Sequence, residues 1–253
     1  MAKLSVVLAV FNEEKNLADC LTSIKEIADE IVVVDGGSSD ATVKIAKSFG
    51  AIVIQTDNPP IFHINKQKAI ERASKDWILQ LDADERVSKE LKDEIKKILE
   101  EKDPEINGYW VPRKNYFLGR YLMKGGQYPD YTLRLYRKGK GRLPQKDVHE
   151  QAVVEGKVGH FKNPLMHLAD PTFSRYRLRF NRYTDIFATQ IAASKPAGLG
   201  GAVRYLVISP AWWFTMTYGR HKGFMDSWQG FVFSFFSSLR FPIAYIKYLR
   251  RKK

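Results

Sequence analysis

Apolar residues in the first third of the chain fall into short blocks of two kinds. Leu4-Ser-Val-Val-Leu-Ala-Val-Phe11, Ile31 to Val34, Ala51 to Gln55 and Trp77-Ile-Leu-Gln-Leu81 are compact β-rich runs, whereas Leu17, Leu21 and Ile24, then Val43, Ala46 and Phe49, recur at helical spacing. With a third helix over Ile64 to Ala73, the blocks predict strands alternating with helices, the pattern of a parallel sheet covered on both faces. Asn12 is placed to cap the first helix and Gly50 to stop the second. Lys89 to Glu101 reads as a further helix, with Asp84 or Ser88 as its cap.

Open α/β sheets bind ligands beyond the carboxyl ends of their strands, so the residues that follow each run carry the chemistry. The Trp77 run ends in Asp82-Ala83-Asp84-Glu85, and two hard oxygen ligands at a strand tip suit a divalent cation carrying a diphosphate. The same four residues also read as a plain lead into the next helix. Ile31 to Val34 ends in Asp35-Gly-Gly-Ser-Ser-Asp40, where small residues admit a ligand and a carboxylate accepts hydrogen bonds from a base or ribose, or where a turn is simply capped by Asp40. Neither G-x-G-x-x-G nor G-x-x-x-x-G-K-[ST] occurs, which counts against a dinucleotide enzyme and a P-loop NTPase.

Taken in order, the strand followed by Asn12-Glu13-Glu14, Val34-Asp35-Gly-Gly-Ser-Ser-Asp40 and Leu81-Asp82-Ala83-Asp84-Glu85 resemble family-2 glycosyltransferases of the GT-A fold, in the branch of lipopolysaccharide-core β-glucosyltransferases. The resemblance is strong over residues 3–90 and continues to about residue 170. It implies an α/β fold of GT-A (Rossmann-like) type with a mostly parallel central sheet flanked by helices, and an inverting transfer from a nucleotide diphosphate sugar, UDP-linked, with Mn2+ or Mg2+. On that resemblance Ala9, Phe11, Glu13 and Asp35 hold the nucleotide, Lys66 lies near the donor, Asp82 and Ala83 face the ribose or donor sugar, and Asp84 binds the metal. The chain departs from the family in reading Ala9-Val10 before the aromatic residue and Asp-Gly-Gly in the second motif, which touches nucleobase preference. A solvated helix face accounts for Lys66 equally well.

The second half changes texture. Tyr109, Trp110, Tyr116, Phe117 and Tyr121 are interleaved with Arg113, Lys114 and Arg120, which suits an acceptor platform or edge strands. Asp130 to Arg137 alternates as a strand and resembles the family's strand that carries a donor-side arginine, here Arg134. Asp147-Val-His149-Glu150 matches the branch's V-H-E element. An inverting transfer needs one carboxylate to take the acceptor proton; Glu150 is the candidate, with Asp147 the alternative base and an ion pair the structural role. His167 resembles the histidine that completes the metal or diphosphate site in GT-A enzymes, and also reads as a core residue between apolar neighbours.

Composition narrows the setting. The 253 residues suffice for a sizeable core, a formal net charge of +13 calls for an anionic partner, and a lone cysteine, Cys20, falls on the inner face of the first helix. Met1-Ala-Lys is too brief for a signal peptide, so folding begins in the cytosol. Beyond Asp170-Pro171 the chain turns basic (Arg175, Arg177, Arg179, Arg182), continues as a helix to about Ser194, and hinges over Pro196 to Gly201. Two apolar runs follow, Tyr205 to Tyr218 and Trp228 to Leu239, each short of the roughly 20 residues of a spanning helix. With Trp212, Trp213, Trp228 and Arg250-Arg-Lys-Lys253 they suit the cytoplasmic face of the inner membrane as a peripheral, anionic-lipid contact; core helices or a dimer interface fit the same pattern.

The expectation is an inverting, metal-assisted glycosyltransferase with catalytic domain 1–170 (donor half 1–105, acceptor half 106–170) and a helical extension 171–253. Its acceptor is a lipid-linked saccharide or lipopolysaccharide core, with no nucleic-acid partner and the oligomeric state open. The rivals are a sugar-phosphate nucleotidyltransferase, which would want a Gly-rich, Arg-containing first loop, and a non-catalytic basic adaptor for membrane or nucleic acid.

Overall fold

The computed structural model describes residues 1–101, 105–145, 151–194 and 198–251. They form two compact units, the first made of Met1–Arg113 and Asp130–His167, the second of Lys114–Pro129 and Leu168–Lys253.

Unit 1 is built on β1 (Leu4–Val10), β2 (Glu30–Asp35), β3 (Ile52–Gln55) and β4 (Trp77–Leu81), all parallel, in the order β3-β2-β1-β4. Burial follows the period of two expected of an extended chain: Val6, Leu8 and Val10 join the core on one face and Val7 the core on the other. Helix α1 (Leu17–Ile24) adds Leu17, Cys20, Leu21 and Ile24 to the first core, as α2 (Thr42–Ser48) adds Ala46. Helix α3 (His63–Arg72) adds Ala69 and Ile70 to the second. Cys20 is fully buried and its Sγ donates to the Asp82 carbonyl at 3.5 Å; burial pushes the thiol far above its usual range, so it is a structural residue.

Beyond β4 the strands reverse. After β5 (Glu85–Val87) and α4 (Lys89–Glu100), β6 (Ile106–Phe117) and, following β7 (Arg120–Tyr121), β8 (Asp130–Arg137) continue the sheet as β4-β8-β6, with β8 antiparallel to both neighbours. The sheet is therefore parallel in its first half and mixed beyond. The tract suggested as edge strands includes β6, an interior strand: Tyr109 stacks on Phe161 at 4.9 Å inside the core, and Phe117 is likewise buried. The remaining strands are β9 (Gly141–Arg142), β10 (Val153–Val154), β11 (Lys157–His160) and β12 (Leu165–Asp170). Ser88 caps α4 by accepting from Leu91 N, as the helix-entry reading proposed.

Asn12 does not cap α1, which begins at Leu17. It sits in the left-handed region at φ 53°, a conformation asparagine tolerates, and spends its side chain on the neighbouring loop.

Unit 2 opens with the hairpin of β6 and β7, turning at Leu118 and Gly119, both at positive φ. Its helices are α5 (Phe173–Ser194), α6 (Gly198–Val203), α7 (Ser209–Phe214) and α8 (Ser227–Arg251), with wider π turns at Arg204–Ile208 and Thr215–Arg220. Gly198 to Gly201, expected to be part of a hinge, are helical, and Pro242 lies inside α8, where it removes one backbone donor without ending the helix. Helices α5 and α8 pack through Ala188, Ile191, Ala244, Tyr245 and Tyr248. Among the described residues no helix is long and apolar enough to cross a membrane. Gly230 leaves room for the preceding turn: a Cβ there would meet the Gly223 carbonyl oxygen at 1.9 Å. Gly230→Ala is therefore expected to cost about 1–3 kcal/mol and lower the melting temperature by roughly 5 °C in calorimetry; an unchanged melt would show that this turn yields freely.

Candidate active site

Register brings separate stretches of sequence to one sheet edge. Val10 pairs with Asp35 and Leu8 with Leu81, so the loops leaving β1, β2 and β4 emerge together at the carboxyl ends. The first two are bonded to each other. Asn12 N donates to Ser38 Oγ at 2.8 Å, Ser39 N to Asn12 Oδ1 at 2.9 Å, Glu13 N to Thr42 Oγ1 at 2.8 Å and Glu14 N to Asp40 Oδ2 at 3.1 Å. Ala9 is half-buried at the end of β1 and Phe11 is exposed just beyond it.

Asp35 is fully buried. Its Oδ2 accepts from Gly37 N and Ser38 N at 3.1 and 3.0 Å, while Oδ1 is buried with no hydrogen-bond partner among the described residues. An acceptor in that condition is costly unless a ligand N–H or O–H meets it.

At the tip of β4 a chain of alternating charges is drawn tight. Lys66, from α3, pairs with Asp82 Oδ1, and Arg134, from β8, donates through Nη2 to Asp82 Oδ2 at 2.7 Å and to Glu85 Oε1 at 2.6 Å. Arg113, from β6, reaches Glu85 at 3.4 Å and Asp130 at 2.7 Å. Burial disfavours every charge here, but the partners decide most outcomes. Asp82 is held well below the usual carboxylate range by Lys66 and Arg134, and Arg134 is held above the arginine range by Glu85 and Asp82. Lys66 is the exception: burial draws it below the lysine range in spite of Asp82. Asp82 nevertheless keeps 28% of its side chain exposed, so a ligand can still reach it. Ala83 is buried, and its carbonyl accepts from Arg86.

The structure brings Asp84 and His167 together. His167 on β12 is in register with Glu85 on β5, and the side chain of Asp84, one residue earlier, reaches His167 Nε2 at 3.6 Å. Among the described residues no group of three or more His, Cys, Asp or Glu forms a ready metal cage. Asp84 and His167 thus set one carboxylate and one imidazole side by side, donor types that divalent cations accept. Glu150, with Asp147 and His149, lies outside the described residues.

Sequence reasoning left Glu85 and Arg113 without a place in this network. The signal was available in part, since Arg113 and Asp130 are cross-strand partners, but only the β6–β8 register reveals it.

The sequence matches the family model described as Glycosyl transferase family 2 over residues 5–153. It is 32% identical over 257 residues to Lipopolysaccharide core biosynthesis glycosyltransferase LpsC of Rhizobium meliloti (strain 1021), covering 94% of this chain and 91% of the relative. It is 26% identical over 264 residues to an uncharacterized glycosyltransferase of Rickettsia typhi, covering 100% and 87%. Against the crystal structure of S. aureus TarS the TM-score is 0.49 at 18% identity, covering 89% of this chain and 45% of that one.

Proposed function

Since the chain belongs to glycosyl transferase family 2, we propose that it moves a hexose, with inversion, from a UDP-sugar to a lipid-linked saccharide such as a lipopolysaccharide core, at the cytoplasmic face of the inner membrane. Family membership sets aside the nucleotidyltransferase and the non-catalytic adaptor. The observation that carries the reading is the approach of Asp84 to His167 beside the Lys66–Asp82–Arg134–Glu85 network, at the edge where Asp35 keeps a buried oxygen that no described residue satisfies.

In this reading residues 1–170 are catalytic, with 1–105 holding the donor and 106–170 serving the acceptor, and 171–253 form the membrane-docking extension. Asp35 Oδ1 accepts a hydrogen bond from the nucleoside, with Ala9, Phe11 and Glu13 shaping the same wall. Asp82, fixed and ionised by Lys66 and Arg134, accepts from a ribose or sugar hydroxyl through its exposed edge. Asp84 and His167 would hold Mn2+ or Mg2+, whose charge offsets that of the departing diphosphate. Glu150 takes the proton of the acceptor hydroxyl as its oxygen bonds to the anomeric carbon, and the bond from that carbon to the diphosphate oxygen breaks on the opposite face.

A panel of nucleotide sugars tested with manganese checks the donor. The true donor raises the melting temperature by its mass-action contribution and is slowly hydrolysed; a panel in which none does either refutes the reading. Glu150→Gln is expected to lower transfer about a hundredfold while leaving donor-induced stabilisation intact. Parental transfer in that variant would move the base to Asp147.

A further inference from the structure

The surplus positive charge lies in unit 2, which holds 17 lysines and arginines against three acids, Asp170, Asp185 and Asp226. All three acids are engaged within the unit: Asp170 by Arg179, Asp185 by Lys247 and Arg251, and Asp226 by the backbone of Met123 and Lys124.

The same unit holds large apolar side chains out in water. Phe224, Met225 and Trp228 are 53%, 52% and 58% exposed, all at the turn that enters α8. Their exposure is built rather than incidental. Lys222 and Ser227 take positive φ values of 58° and 61°, which fold the chain back on each side of the tip. Asp226, nearly inaccessible, anchors the tip by accepting from Met123 N at 3.0 Å and Lys124 N at 2.7 Å. Ring contacts extend the apolar surface from Phe224 through Tyr218 to Phe231 and Phe235, at centroid distances of 6.2, 5.7 and 5.9 Å. Arg220, His221 and Lys222 are exposed beside it.

Exposed apolar side chains gathered in this way mark a candidate interaction site. Its occupant follows from charge. A second copy placed symmetrically on this face would bring the same cations against themselves, whereas anionic headgroups over an acyl layer complement both the collar and the tip. We propose that the turn Arg220–Trp228 is a membrane wedge: Phe224, Met225 and Trp228 enter the interfacial layer of an anionic bilayer, and Arg220 and Lys222 rest on its lipid phosphates. This deepens the membrane-facing part of the proposed function by naming the element that makes the contact.

The test uses the full chain with vesicles of phosphatidylglycerol and phosphatidylcholine, against phosphatidylcholine alone. The parent is expected to sediment with the anionic vesicles, less so as salt rises. Phe224→Ser, Met225→Ser and Trp228→Ser combined should weaken binding at least about a hundredfold, and Arg220→Ser with Lys222→Ser about twentyfold, each with the parental melting temperature. Parental binding by both variants, or no binding by the parent, overturns the wedge. So does a parent that dimerises through this face, becomes monomeric in the triple variant and ignores vesicles. Donor hydrolysis in solution is read in parallel and should be equal in all three proteins; its absence from the parent counts against the transferase reading and leaves the vesicle result to stand alone.

Discussion

Replacing Asp84 by alanine is expected to lower sugar transfer about a thousandfold, close to 4 kcal/mol of barrier. A loss of that size is expected if, as proposed, the Asp84 carboxylate holds the divalent cation whose charge offsets that of the leaving diphosphate. Asp84 stands in the turn between β4 and β5 with its carboxylate 3.6 Å from His167, so the substitution dismantles the pair and leaves Asp82 in place on Lys66 and Arg134. Stabilisation by a nucleoside diphosphate separates chemistry from folding. In the parent it should depend on manganese, and in Asp84→Ala that dependence should vanish. A variant with the parental rate and the parental manganese dependence would remove Asp84 from the site.

Glu85→Ala is expected to act through the scaffold instead, destabilising the protein by about 3–5 kcal/mol. Glu85 is fully buried; its Oε1 receives Arg134 and Arg113, and its Oε2 accepts from Asp82 N at 2.9 Å. Truncation leaves two guanidiniums short of a counter-charge and the Asp82 amide short of an acceptor, each expensive away from water. Urea unfolding should show the midpoint falling with little change in slope. A shift below about 1 kcal/mol would mean that water screens the network. The arrangement explains how Asp82 can carry two cations on its carboxylate and still be held in one pose: the residue three positions later is its anchor.

The parallel half of the fold was legible because its strands and helices use different periods. Trp77 to Leu81, buried along its whole length, could hardly be anything but an inner strand, and Leu17, Leu21 and Ile24 declare a helix face. The turn in strand direction after β4 was not legible. An inner strand such as β6 is buried whichever way its neighbours run, and direction is set by connections rather than by composition. Asn12 was misread because a cap and a loop tie draw on the same short polar side chain. Asp84 was singled out from its place at a strand tip and His167 from family resemblance, whereas Glu85 and Arg113 were given no place in the charge network, since charged residues in sequence look like surface until a register pairs them. The tip at Phe224 and Met225 was hidden for the opposite reason: apolar letters next to a helix suggest core, and only the φ values of Lys222 and Ser227 turn them outward.

The hydrogen bonds from Asn12, Glu13 and Glu14 to Ser38, Thr42 and Asp40 make one rigid mould out of two chain segments. On the proposed reading, a nucleoside settling there would find its berth already shaped, so little freedom would remain to be lost on arrival. Recognition at that end of the molecule would then be decided during folding, with Asp35 meeting its partner on a backbone that need not change its pose.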